Sequence, residues 1–160
     1  MAKINWFRLI FSFLICQAAG GIGAIFTMPG ISTWYATLQK PAFNPPNWIF
    51  GPVWTMLFVL MGIALYLVWN KSKEKEGKNK AIIFFCIQLV LNIGWSFCFF
   101  YLQSPLAGLI EIFVLWIFIL LTIVYFYKIS KIASYLLIPY ILWVSFAVVL
   151  NYFLFILNKI

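Results

Sequence analysis

The sequence predicts an all-α membrane protein: a bundle of five transmembrane helices, N-terminus in the cytoplasm, with a covering loop between the first two spans. Three observations carry that prediction. Hydrophobic residues make up 66% of the chain and charged ones 9%, with a mean hydropathy of +1.05, whereas soluble domains are roughly half apolar and a quarter charged. Five runs reach the roughly 20 apolar residues needed to cross a bilayer. The lysines and arginines gather on one side of those runs. Almost nothing remains for an aqueous domain, so residues 1–160 are expected to form a single transmembrane domain.

Span one runs from Ile4 to Phe26. It is longer and more aromatic than a signal peptide, and no small-residue cleavage site followed by a soluble domain appears after it, so it is expected to remain as a helix. Within it, A18-A-G-G-I-G-A24 sets small residues four apart, Ala19 with Gly23 and Gly20 with Ala24. That spacing lets helix backbones approach closely, either within the chain or in a homodimer. The connection from Thr27 to Pro45 leads into span two, Pro46 to Trp69. Between Pro29 and Trp69 lie four of the eight tryptophans and five of the seven prolines. Broken backbone beside a bilayer is tolerated only where protein or a water-filled cavity shields its unpaired N–H and C=O groups. The segment is therefore expected to cover something. Span three runs from Ala81 to Leu102, span four from Leu106 to Tyr127, and span five from Ile132 to Leu157. Pro139 is expected to kink span five and widen the space beside Trp143.

Cytoplasmic flanks of membrane proteins carry the excess of positive charge. Lys3 and Arg8 precede or begin span one; Lys71, Lys73, Lys75, Lys78 and Lys80 lie between spans two and three; Lys128 and Lys131 join spans four and five. All nine fall on one face, against Lys40 and Lys159 on the other, which sets the expected orientation. The same distribution accounts for the net charge of +8. Glu74 and Glu76 interleave the Lys71 to Lys80 run, which reads as a solvated turn near anionic headgroups rather than a nucleic-acid surface.

What is missing bounds the chemistry. The chain has no histidine and no aspartate, and its only carboxylates are Glu74, Glu76 and Glu111. A Ser-His-Asp triad, a histidine-ligated metal or haem, and a carboxylate pair for sugar hydrolysis are all excluded. Cys16, Cys86 and Cys98 lie inside spans without metal-ligand spacing and are expected to be free, apolar residues. No metal site, covalent cofactor or conventional catalytic set is expected.

Depth and spacing single out a site in the outer half of the bilayer. With about 1.5 Å of rise per residue, Trp54, Asn92, Trp95, Glu111 and Asn151 fall roughly 9 to 15 Å from the outer end of their spans, and Phe58 and Trp143 roughly 18 to 21 Å. In span three Gln88, Asn92, Trp95 and Phe99 recur at steps of four, three and four, and in span five Trp143, Ala147 and Asn151 recur at steps of four. Each set shares one helix face. A lone carboxyl in a span is a functional candidate by default, and Glu111 reads either as a cavity residue or as interhelical glue bonded to Asn92 or a tyrosine. Trp6, Trp48 and Trp69 suit interfacial anchoring, and Trp116 suits lipid or core. Trp54, Trp95 and Trp143 suit the wall of a pocket for a flat, largely apolar ligand.

Several segments, in order, resemble one family. These are W34-Y-x-x-L-x-K-P-x-F-x-P-P, G51-P-V-W-T-x-L-F-x-L-M-G-I-A-x-Y-L-V-W69, Q88-L-x-L-N-x-x-W-S-x-x-F-F100, S104-P-L-A-x-x-x-E111 and L137-I-P-Y-x-L-W-V-x-F-A-x-x-L-N151. Together they resemble the TspO/MBR family, the tryptophan-rich sensory proteins of bacteria, which are related to the mitochondrial translocator protein, or peripheral-type benzodiazepine receptor. The resemblance implies a five-helix membrane bundle and a tetrapyrrole ligand such as protoporphyrin IX or haem, with isoquinoline carboxamide and benzodiazepine drugs in the same pocket. Carried over by position, it implies ligand-binding roles for Tyr35, Pro45, Trp54, Phe58, Asn92, Trp95, Glu111, Trp143 and Ala147. Glu111 stands where relatives carry aspartate. Some members are described as degrading porphyrin in light, and Trp54 and Trp143 match the tryptophans implicated. The expected function is to sense, sequester or promote turnover of porphyrins in a prokaryotic cytoplasmic membrane, with transport of porphyrins or small amphipathic molecules as the alternative. Sterol binding is not expected: six residues separate Tyr152 from Lys159, beyond the reach of the proposed cholesterol motif.

Overall fold

The structure is a computed structural model that describes residues 4–71 and 77–159. Among them are seven α-helices and no strand: α1 (Trp6–Ile31), α2 (Trp34–Thr37), α3 (Asn47–Trp69), α4 (Lys78–Ser96, continued by a π-helical turn over Phe97–Tyr101), α5 (Pro105–Ile129), α6 (Lys131–Tyr135) and α7 (Ile138–Leu157). Five spans are long and apolar enough to cross a membrane: α1, α3, α4 with its π turn, α5, and α6 with α7.

Local chemistry sets the helix ends. Asn5 caps α1 by accepting from the Arg8 N–H at 3.0 Å. Ser104 caps α5, accepting from the Ala107 N–H at 3.2 Å, and Pro105 in the first turn has no N–H to leave orphaned. The last carbonyls of α3 receive cationic donors: Arg8 reaches the Trp69 carbonyl at 3.1 Å and Lys78 reaches it at 2.9 Å. Arg8, Lys71, Lys78, Lys80, Lys128 and Lys131 thus cluster at one end of the bundle, hereafter the basic end. Lys3, Lys73, Lys75, Glu74 and Glu76 lie outside the described residues.

Three expectations need correction. Span one does not stop at Phe26: α1 continues through Pro29 to Ile31. The Thr27 hydroxyl donates to the Gly23 carbonyl and that of Thr33 to the Pro29 carbonyl, supplying donors around the proline. The covering segment is correspondingly shorter, residues 32–46, and contains α2. Span five is not one helix kinked at Pro139 but two, α6 and α7, with Pro139 in the first turn of α7, where its missing N–H costs nothing.

That break has an architectural consequence. α1 packs against α3 and α4, α4 against α5, and α5 against α6 and α7; the ring closes at the basic end, where α3 meets α6. α7 meets α3 through side chains, Trp143 against Phe50 and Tyr140 against Trp54, rather than by the closer backbone packing that α6 makes with α3. Side chains pack the basic half: Val68, Phe85, Phe126 and Ala133 are inaccessible, and the Phe85 and Phe126 rings stack at 5.7 Å. Toward the loop end the parted helices leave a cavity.

Candidate functional site: an aromatic cavity under the loop

The cavity has a volume of about 640 Å³, within the range typical of small-molecule sites. Its walls come from α1, α3, the outer half of α4, and α7, and α2 forms part of its cover. Trp54 and Phe58 stand one turn apart on α3 with ring centroids 5.7 Å apart. Across the gap, Trp143 of α7 meets Phe50 edge-on at 6.0 Å, and Tyr140 meets Trp54 at 6.2 Å. On α4, Trp95 stacks on Phe99 at 5.3 Å, with their planes 16° apart.

Hydrogen bonds hold Trp95 and Tyr140 in place. The Trp95 indole N–H donates to Asn151 Oδ1 at 3.2 Å, and Asn151 Nδ2 donates to the Pro105 carbonyl at 2.7 Å, joining α4, α7 and the start of α5. Asn92 Nδ2 donates to the Tyr140 hydroxyl at 3.0 Å, which donates to Gln88 Oε1 at 2.9 Å. This chain ties α4 to α7 beneath the tryptophans. Gly108 of α5 admits the node: an added Cβ would sit 2.8 Å from Phe99 and 3.0 Å from Asn151 Oδ1.

The cover is latched at two places. Tyr35 is buried, and its hydroxyl donates to Asn44 Oδ1 at 2.8 Å. Burial pushes the Tyr35 phenol above its ordinary range, so it remains a donor. Lys40 places its ammonium 4.7 Å above the same ring. At the other latch, Asn158 after α7 accepts from the Gln39 N–H and donates to the Gln39 carbonyl, both at 2.9 Å. The cavity opens sideways between α1 and α3. An added Cβ at Gly21 or Gly51 would meet nothing within 4 Å, and Met28 and Trp48 on the same rim are 70% and 74% exposed.

The model of the TspO/MBR family matches residues 12–157. The chain belongs to that family. The Tryptophan-rich protein TspO of Chlorobaculum tepidum is 51% identical over 144 residues, covering 90% of this chain and 91% of that protein. Its namesake in Archaeoglobus fulgidus is 48% identical over 155 residues, 97% of this chain and 99% of the relative. The human Translocator protein is 39% identical over 123 residues, 74% and 71% of the two chains. Five apolar spans together with bacterial and archaeal relatives make this an integral protein of a prokaryotic cell membrane.

Of the nine positions that the TspO/MBR resemblance marks, seven line the cavity: Tyr35, Trp54, Phe58, Asn92, Trp95, Trp143 and Ala147. Pro45 does not line it; its carbonyl accepts from Asn44 Nδ2 at 3.0 Å, bracing the residue that holds Tyr35. Glu111 does not line it either. It points from α5 to α4, where Gly94 leaves a notch and an added Cβ would sit 3.3 Å from Glu111 Oε1. Nor is it interhelical glue: both carboxyl oxygens are screened from solvent without a hydrogen-bond partner among the described residues, while Asn92 and Tyr140 bond each other.

Sequence reasoning overlooked the α1 wall. Gln17, Gly20, Gly21, Ala24 and Met28 all face the cavity. The small residues of this stretch serve two ends: Gly23 lies against Ser96 of α4, whereas a Cβ at Gly20 would strike the Phe58 ring at 2.7 Å. The available signal was Gln17 itself, a carboxamide one turn before a glycine pair near the middle of the span. The other tryptophans take supporting places. Trp6 is 64% exposed, Trp69 packs edge-on against Phe11 at 5.6 Å, and the Trp116 N–H donates to Ser145 Oγ at 2.8 Å, joining α5 to α7. Cys16, Cys86 and Cys98 are free thiols.

Proposed function

We propose that this chain is a membrane-embedded tetrapyrrole receptor: it binds porphyrin or haem in the cavity beneath the covering segment and thereby senses, sequesters or promotes turnover of the ligand. The carrying observation is the cavity of about 640 Å³ between Trp54, Trp95 and Trp143. Indole faces offer a planar π-system offset-stacked and edge-on contacts. With no histidine in the chain, the ring is held by its faces rather than through a histidine on the iron. The sideways opening between α1 and α3 faces the acyl chains, the phase in which such a ligand concentrates. Isoquinoline carboxamide and benzodiazepine-type compounds fit the same chemistry of flat rings with few polar atoms. The basic end lies in the cytoplasm in this reading, following the positive-inside rule, and the covering segment faces outward.

Binding is favoured over transport by the basic half of the bundle, where Val68, Phe85, Phe126 and Ala133 are inaccessible and are not among the residues that line the cavity. Titrating the purified protein with protoporphyrin IX tests the proposal. Replacing both Trp54 and Trp143 with Phe should move the midpoint of porphyrin binding at least tenfold higher, and an unchanged midpoint would reject this cavity as the site. Light-dependent turnover is read separately, from the absorbance of bound protoporphyrin under illumination in the wild type and in Trp143→Phe. Flux of porphyrin into buffer-loaded liposomes would reinstate the transporter.

A further inference from the structure

The basic end carries more charge than the fold itself uses. Arg8 and Lys78 hold the last carbonyl of α3, but Lys128 and Lys131, at the turn from α5 into α6, are exposed and make no ion pair among the described residues. The one described carboxyl, Glu111, lies roughly 25 Å back along α5 from Lys128.

The turn is fixed by hydrogen bonds. The Ser130 N–H donates to the Phe126 carbonyl at 2.7 Å, closing α5, and the Ser134 hydroxyl reaches back from α6 to the Ile123 carbonyl at 3.0 Å. α6 is thereby folded against the last turns of α5, and three side chains meet on the outside of the corner. Lys131 places its ammonium 5.6 Å from the centre of the Tyr127 ring, and the Tyr127 and Tyr135 rings lie edge-on at 6.2 Å. The two tyrosines are 46% and 55% exposed, and neither hydroxyl has a hydrogen-bond partner among the described residues.

A ring occupies one side of an ammonium and leaves its other donors free. A cation held beside two phenol donors, with no acid near it among the described residues, suits an oxyanion. The exposed face of α5 continues away from Tyr127 as Val124, Leu120 and Ile117, at steps of three, four and three, which makes roughly 15 Å of apolar surface. Cationic and phenolic donors at the head of an apolar column match a molecule with an anionic head and a hydrocarbon tail. A nucleic acid or an acidic protein segment matches the head alone.

We propose that the α5–α6 corner is a binding site for an anionic phospholipid, its phosphate held by Lys131 with the Tyr127 and Tyr135 hydroxyls and one acyl chain lying along Val124, Leu120 and Ile117. None of these residues is among those that line the aromatic cavity, so the site is independent of what the cavity binds.

The test is native mass spectrometry of the full-length protein released from detergent micelles, titrated with dioleoyl phosphatidylglycerol or dioleoyl phosphatidylcholine. The wild type should retain one phosphatidylglycerol about fivefold more tightly than phosphatidylcholine. Lys131→Gln should remove about fivefold of the phosphatidylglycerol affinity, the effect of one lysine near an anionic surface. Tyr127→Phe combined with Tyr135→Phe, which keeps both rings, should weaken it severalfold. Lys71→Gln removes another exposed charge from the same end and should change it less than twofold. Equal losses in Lys131→Gln and Lys71→Gln would mean diffuse attraction to the basic end and would overturn the site, as would phosphatidylglycerol bound no better than phosphatidylcholine. If glycerol phosphate or a short poly-glutamate displaced the lipid at equal concentration, the acyl chain would count for nothing and the lipid assignment would fall.

Discussion

Replacing Asn151 with leucine tests the node that holds Trp95 against the cavity. Asn151 is 1% exposed and makes two interhelical hydrogen bonds, one received from the Trp95 indole at 3.2 Å and one donated to the Pro105 carbonyl at 2.7 Å. Leucine keeps asparagine's branching but is larger, so no cavity is created, and the two lost bonds set a lower bound to which some overpacking adds. Interhelical hydrogen bonds in membrane proteins average about 0.6 kcal/mol and reach about 1.7, so losing both should cost about 1 to 3 kcal/mol. The upper part of that range applies if the indole N–H and the proline carbonyl stay buried without new partners. Denaturation in mixed micelles, followed by far-UV circular dichroism, measures that difference. Near-UV dichroism should change as well, because Trp95 loses the contact that fixes its stack on Phe99. A change below about 0.5 kcal/mol together with an unaltered near-UV spectrum would refute the argument that these bonds order the α4 wall.

Three further outcomes are expected. Gly20→Ala should raise the protoporphyrin midpoint severalfold, because the new methyl would lie 2.7 Å from the Phe58 ring and drive it into the cavity; binding titration checks this. Glu111→Leu should leave ligand affinity within twofold and raise stability by about 1 kcal/mol in thermal melting, since it removes a carboxyl with no partner that lies outside the cavity. Asn158→Ala should loosen the cover by removing both bonds to Gln39, so stopped-flow quenching should show faster association and faster release of porphyrin.

The cavity wall was partly legible in the chain. In α4 and its π turn, Gln88, Asn92, Trp95 and Phe99 share a face by helical period alone, as do Trp143, Ala147 and Asn151 in α7, and all but Gln88 line the cavity. Periodicity identifies which residues share a face but not the neighbour that face meets. Glu111 shows the difference: its depth is right, but the missing side chain of Gly94 gives its carboxyl a notch on α4 that no spacing rule announces. The α1 wall was hidden for a related reason. Glycine lets helices approach each other, and Gly20 against Phe58 and Gly23 against Ser96 both do so while also lining the cavity, which spacing alone does not reveal.

The sequence by itself determined that this is a membrane bundle of five spans, because the length and apolarity of a spanning run are local properties dictated by the bilayer. It also determined the family, through motifs spread along nearly the whole chain. Only the tertiary structure decided where the empty space lies. The chain breaks between α6 and α7, α3 packs its backbone against α6 and meets α7 through aromatic rings, and a cavity lies between them under the loop. A void is a relation among helices distant in sequence, set by their crossing and by which side chains fail to fill the gap, so no single segment encodes it.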